Sequence, residues 1–292
     1  MSILAVTCEN PADLKTYREK GADEVIFALA DSCFSALRPF SEEEILTMAE
    51  TARAENLRVS VLMNRLFHED DIEAACEKMI RLCHGGIDAV LFADTGLMYS
   101  ARKNGLEDRM IYQPETMMTS PADALTWCSE NLQAVMISTL LTEQEILKIA
   151  AGAAVTGMNI HGYQLMSVSA RPLLSAFALS AGKEPLKNKE NLTLVEAKRQ
   201  EHMPVFENEY VTMIFSDYVL ESFDEIRKFR DAGMKRFVID GWHLDPQSVQ
   251  EAVGLYRALL DGTAAAAEIR EYRNTYKDIP FSKGYYDQKT VR

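Results

Sequence analysis

The chain has 292 residues, 47% of them hydrophobic, enough for one large α/β domain or two ordinary ones. No run of about 18 apolar residues marks a membrane span, and the N-terminal MSILAVTCENPADL lacks the basic region and small-residue cleavage site of a signal peptide, so a cytoplasmic protein is expected. Lysine and arginine number 31 against 44 acidic residues, a net charge of −13, which opposes unassisted contact with phosphate backbones.

Leu4–Thr7 is the first predicted strand and Glu24–Ala28 the second, with an amphipathic helix ending near Gly21 between them. Ser41 and Glu44 fit a capping box at the start of the next helix, and Arg58–Met63 follows as a strand. A helix carrying Cys76 and Cys83 on one face ends at Gly85 and leads into Ala89–Ala93. Met110–Gln113 and Ala134–Ser138 come next. Thr142 and Glu145 form a second capping box, and Ile146, Ile149 and Ala150 supply that helix's apolar stripe. Met158–His161 and Phe237–Asp240 complete eight strands. Three segments, ADLKTYREKGADEVIFAL, IEAACEKMIRLCHGGIDAVLFAD and FDEIRKFRDAGMKRFVIDG, repeat one plan of helix, glycine and apolar strand. Alternation of this kind favours a single TIM-barrel-like (β/α)8 domain over residues 1–292, with a doubly wound open sheet as the alternative.

Residues 162–236 are far more than one helix needs and are read as an insertion after strand 7. Within it LLSAFALSAG is helical, and EHMPVFENEYVTMIFSDY reads as an antiparallel hairpin turning at ENEY. Residues 265–292 form a C-terminal tail.

In a barrel the strand C-termini face one mouth, where active sites are built. They would bring together Asn64 with Arg65, Asp94, Gln113 with Glu115 and Thr116, Ser138 with Thr139, His161, and Asp240 with Trp242 and His243. The insertion adds Asp217. Glu115 and His161 are the catalytic candidates, with no role assigned; Asn64, Asp94, Gln113, Arg171, Asp217 and Asp240 are the ligand-binding candidates. His161 fits a general base, a metal ligand or a structural hydrogen-bonding group, but no further ligands lie at metal spacing beside it. The G-x-S-x-G, H-E-x-x-H, P-loop and G-x-G-x-x-G patterns are absent. The five cysteines, Cys8, Cys33, Cys76, Cys83 and Cys128, include no C-x-x-C pair and read as buried thiols.

Several blocks resemble peptidase family U32, the collagenase-like peptidases. IHGYQLMSVSARPLLS is similar to the family signature in His161, Gly162, Ser169 and Arg171, while Leu165 and Pro172 stand where the signature has cysteines. EKGADEVIFAL, RVSVLMNRLFHEDD, GIDAVLFADTG, YQPETMMTS, VTMIFSDY and GYYDQKTVR resemble further family blocks in order along the whole chain. The resemblance implies a TIM barrel. It also implies members with four cysteines holding an iron–sulfur cluster that act in oxygen-independent or prephenate-dependent hydroxylation, with tRNA uridine (giving 5-hydroxyuridine), ribosomal RNA cytidine and ubiquinone precursors as targets. This chain resembles the short members that lack the cysteine cluster and pair with a longer, cysteine-bearing member. No iron–sulfur cofactor and no metal is therefore expected, since leucine and proline cannot ligate iron. The expected partners are such a longer relative and, through the complex only, tRNA; no membrane contact is expected. Arg171 with Lys187 and Lys198 are the candidate RNA contacts. The functional expectation is a non-cluster subunit in prephenate-dependent tRNA uridine 5-hydroxylation, the alternatives being a collagenase-like peptidase and a non-catalytic binding or scaffold protein.

Overall fold

The computed structural model describes residues 2–36, 38–184, 192–195, 201–208, 210–263 and 266–289. Its strands are β1 (Ile3–Thr7), β2 (Glu24–Ala28), β3 (Arg58–Met63), β4 (Ala89–Phe92), β5 (Met110–Tyr112), β6 (Ala134–Met136), β7 (Thr156–Ser169), β8 (Leu192–Val195), β9 (His202–Glu207), β10 (Thr212–Glu221), β11 (Arg236–Ile239) and β12 (Phe281–Ser282). β1 to β7 pair in sequence order, all parallel; β11 pairs in parallel with both β7 and β1 and closes an eight-stranded barrel. The open-sheet alternative is thereby excluded.

Both faces of these strands are covered, which is why they read as continuous apolar runs. Every residue of β2 is buried. Side chains alternate between a small interior cluster that includes Ala5, Ala28, Leu62, Leu91 and Trp242, and a larger layer under the surrounding helices. Both expected capping boxes form, Ser41 with Glu44 and Thr142 with Glu145.

The N-terminal end of the barrel is sealed by charge. Glu24, Arg236 and Ser60 are all buried, with Glu24 accepting hydrogen bonds from the other two, and Arg58 Nε lies 3.8 Å from the same carboxylate. Burial pushes the Glu24 carboxyl up, but the guanidinium of Arg236 and its hydrogen bonds outweigh that and hold it below its usual value.

β7 runs well past the expected end at His161. As far as His161 it pairs with β11; from His161 onward it pairs antiparallel with β10, His161 opposite Glu221 and Gly162 opposite Leu220. The exchange explains the His-Gly step. Gly162 has φ +129°, and a Cβ there would lie 2.1 Å from the carbonyl oxygen of Asp240. Only glycine lets β7 bend away while touching β11. The expected hairpin is present as β9 and β10, with β8 as a further antiparallel strand. Its apolar side chains Phe206, Met213 and Phe215 pack with Phe34 and Leu165 into a small second core over the mouth. The helix Leu173–Ser180 is anchored by Glu207, whose carboxylate accepts the Leu174 and Ser175 backbone N–H groups at 2.7 and 3.3 Å. In the tail, the helix Ala266–Thr275 and β12 pack on the barrel, β12 pairing with β10. Lys187 and Lys198 lie outside the described residues.

Candidate functional site

Gln113 and Pro114 follow the end of β5, and the next residue, Glu115, adopts φ +55°. This left-handed conformation is rare for a residue with a Cβ and marks a position held by its surroundings. Two amides hold it here. Asn64, at the end of β3, donates from Nδ2 to Glu115 Oε1 at 2.9 Å, and Gln113 Nε2 donates to the same oxygen at 3.3 Å. Asn64 Nδ2 also reaches Ser35 Oγ at 2.9 Å, and its Oδ1 accepts the Phe34 N–H at 3.3 Å. Burial pushes the Glu115 carboxyl above its usual range, opposed by the two amide hydrogen bonds.

Glu115 lines two adjoining spaces. The first is a narrow cavity of about 30 Å³ inside the mouth, bounded also by Gln113, Thr139, Asn159, Gln164 and Asp240. Asp240, just past the end of β11, accepts the Trp242 N–H at 3.3 Å. Burial, and then the charge of Glu115, push its carboxyl well above the usual range. The side chains of the wall leave acceptors unpaired: Gln113 Oε1 and Asn159 Oδ1 are buried with no hydrogen-bond partner. The second space is an open cleft of about 810 Å³ between the ends of β3 to β5 and the hairpin, lined by Phe34, Leu66, Tyr112, Met117, Val168 and Tyr210 among others.

The sequence candidates divide accordingly. Glu115, Asn64, Gln113 and Asp240 come together at the mouth. Asp94 lines the cleft, but both its oxygens are engaged in the fold: Oδ1 caps the helix Thr95–Lys103 through Gly96 N at 2.7 Å, and Oδ2 accepts Phe67 N at 2.9 Å. Ser138 is likewise engaged locally, its Oγ accepting Leu140 N at 3.2 Å in the loop before the helix that Thr142 caps. Asp217 and Arg171 line neither space; Arg171 is exposed beyond the end of β7, and Asp217 sits where β10 is irregular in its pairing with β7.

His161 does not border the mouth as expected. The irregularity that starts the strand exchange turns its ring outward, among Phe223, Tyr256, Tyr272 and Phe281. It is fully buried, with Nδ1 3.3 Å from the Tyr256 hydroxyl and Nε2 3.3 Å from that of Tyr272. Burial alone lowers its pKa to about 3. A base so placed reaches no ligand in either space. His243 lines neither space either: it stacks on Phe206 of the second core at 4.0 Å, and its Nε2 lies 3.2 Å from the Ser35 carbonyl oxygen.

Asn159, Gln164 and Ser35 were missed in the sequence. A polar residue inside the apolar run Met158–Ile160 was a usable signal for Asn159. Nothing local marks Gln164, whose Oε1 accepts from Thr139 and whose Nε2 donates to Gly162 O at 2.9 Å.

The iron–sulfur ligand positions do not fit a cluster. Leu165 belongs to the second core and Pro172 precedes the insertion helix. Cys8, Cys33 and Cys83 are buried, burial raising their thiols to about 12, 11 and 11. Among the described residues no three His, Cys, Asp or Glu side chains are grouped to hold a metal ion, and no helix is long and apolar enough to cross a membrane.

The sequence model of peptidase family U32 matches residues 9–291. The chain is 27% identical over 263 residues to tRNA hydroxylation protein P2 of Bacillus subtilis (strain 168), covering 88% of this chain and 85% of that protein. Among solved structures it is similar to the U32 peptidase Mk0906, with TM-score 0.51 and 14% identity over 82% of this chain and 92% of the other. It is also similar to phosphoribosyl anthranilate isomerase from Thermus thermophilus, with TM-score 0.52 and 9% identity over 90% of this chain and 100% of the other. At these identities the structural likenesses establish the barrel alone.

Proposed function

The chain belongs to peptidase family U32, and from that membership we propose that it acts in tRNA hydroxylation, as a subunit without an iron–sulfur cluster that completes a longer, cysteine-bearing relative. The observation that carries this reading is the 27% identity to tRNA hydroxylation protein P2 along 88% of the chain. The expected product is 5-hydroxyuridine, and the work is expected to be cytoplasmic.

Three features support a divided task. Leucine and proline occupy the cluster-ligand positions, so redox chemistry falls to the partner. The narrow cavity presents Glu115 and Asp240 with no basic lining residue, and in the open cleft, lined by Arg65 and His68, the Arg65 guanidinium is already paired with Asp71; we therefore place a dicarboxylate hydroxyl donor such as prephenate with the partner. The net charge of −13 opposes solitary tRNA binding. We place the partner contact on the insertion, whose Met166, Val168, Phe177, Leu179, Leu194 and Val195 are exposed on the single chain. Arg171, with Lys187 and Lys198, is proposed to meet tRNA within the complex.

The test is deletion of the gene followed by mass spectrometry of nucleosides from total tRNA. The expected result is loss of 5-hydroxyuridine-type modification, restored by the wild-type gene. Unchanged modification would overturn the reading and favour the peptidase or scaffold alternatives.

A further inference from the structure

Glu115 and Asp240 bring two carboxylates to the narrow cavity, and Gln113 and Asn159 bring amide oxygens, beside the hydroxyls of Ser35, Thr116, Thr139 and Tyr163. Glu115 Oε1 is occupied by the amides of Asn64 and Gln113, and its Oε2 has no donor among the described residues. Gln113 is more than nine-tenths buried, lines the narrow cavity, and leaves its Oε1 without a partner. Its orientation is set: the reversed amide would press a carbonyl oxygen on the Glu115 carboxylate. Asn159 adds a second unpaired oxygen and Asp240 a second carboxylate. No lysine, arginine or histidine lines this cavity.

Two neighbouring carboxylates in a confined cavity are relieved either by taking up a proton or by a cation, and a cation that also donates hydrogen bonds satisfies the unpaired oxygens of Gln113 and Asn159 at the same time. A hard metal ion asks for about six or more oxygen ligands. The described residues bring no third carboxylate, histidine or cysteine to the place. An ammonium group, with up to three N–H donors and one charge, matches the acceptors present. The remainder of such a ligand has room as well, because Glu115 also lines the open cleft, whose walls include Phe34, Tyr112, Met117 and Tyr210. We propose that the barrel mouth binds a small amphipathic amine, its ammonium group between Glu115, Gln113 and Asp240 and its apolar body in the cleft.

This inference does not rest on the role in tRNA hydroxylation. The purified full chain is titrated by calorimetry and thermal shift with benzylamine and phenethylamine, their alcohol isosteres, phenylacetate, and the chlorides of magnesium, manganese and calcium. The amines are expected to bind about tenfold or more tightly than the alcohols, as charge-assisted hydrogen bonds require, and phenylacetate not at all. Glu115→Gln is expected to remove that preference. Because this change also touches the strained turn, Gln113→Leu serves as a second variant, expected to weaken the amines and leave the alcohols unchanged. Amines binding no better than alcohols would overturn the proposal, as would stabilisation by a divalent cation without any by the amines.

Discussion

The hydroxyl of Tyr256 has one proton, and the Ile160 carbonyl oxygen takes it at 2.9 Å while the Ser222 N–H donates to the same hydroxyl. His161 Nδ1 must then carry the hydrogen it gives to Tyr256, leaving Nε2 to accept from Tyr272, which shares its proton with the Ser248 carbonyl oxygen. The imidazole is thus a neutral structural linker between β7 and two helices. Its pKa is lowered by burial to about 3, and that of His243 to about 4, against about 6.5 in an unfolded chain. Between those values the unfolded state binds more protons, so stability rises with pH; this contribution is fully present above about pH 6.5 and is lost as pH falls toward the folded values. His161→Phe should therefore reduce the pH dependence of the urea-unfolding free energy between about pH 6 and about pH 5 by roughly 1 kcal/mol per pH unit. Equal slopes for variant and wild type would show that His161 titrates normally.

Strand β7 serves both the barrel and the insertion, and one glycine joins its halves. Its first half closes the barrel beside β11; its second half carries the insertion over the mouth through β10. At Gly162 the backbone is both positive in φ and against the Asp240 carbonyl oxygen. Gly162→Ala adds a steric clash with backbone to an unfavourable φ, so a loss on the order of 3 kcal/mol or more is expected in urea denaturation. A loss under about 1 kcal/mol would mean that the two strands separate easily there. The same step couples structure to the site, since Asp240 forms part of the mouth and Gln164, two residues on, donates back to the Gly162 carbonyl oxygen.

The barrel with its insertion exposes most of its large apolar side chains on one part of the chain. Phe177 is 58% and Leu179 82% exposed on a helix whose first turn is held by Glu207 and Thr212. Surface of this kind, on a chain carrying a net charge of −13, suits a protein partner better than a nucleic acid. The double change of Phe177 and Leu179 to Asp should leave the melting temperature within about 2 °C of wild type, because exposed positions contribute little to folding. It should abolish co-purification of the proposed partner, a longer U32 relative, from native lysate. Retention of that partner at wild-type yield would move the contact elsewhere.

The eight barrel strands were legible because each is covered on both faces and each helix before it ends in a recognisable glycine or begins with a capping residue; Ser41–Glu44 and Thr142–Glu145 are local chemistry and form as the spacing predicts. The barrel then follows from the right-handed βα repeat, and with it the meeting of Asn64, Gln113, Glu115 and Asp240 at one end. That Leu165 and Pro172 stand where the resembled family signature has cysteines is implied by the resemblance and not by the residues alone. The direction of His161 was not legible, because a single irregularity in the pairing of β7 with β11 decides which face of the strand it occupies. Nor were Gln164 and Ser35, which reach the mouth from a strand extension and a loop whose positions depend on contacts far along the chain. Periodicity and capping act over a few neighbouring residues and can be read in order; the register of distant strands, and the burial that follows from it, exist only once the barrel has closed.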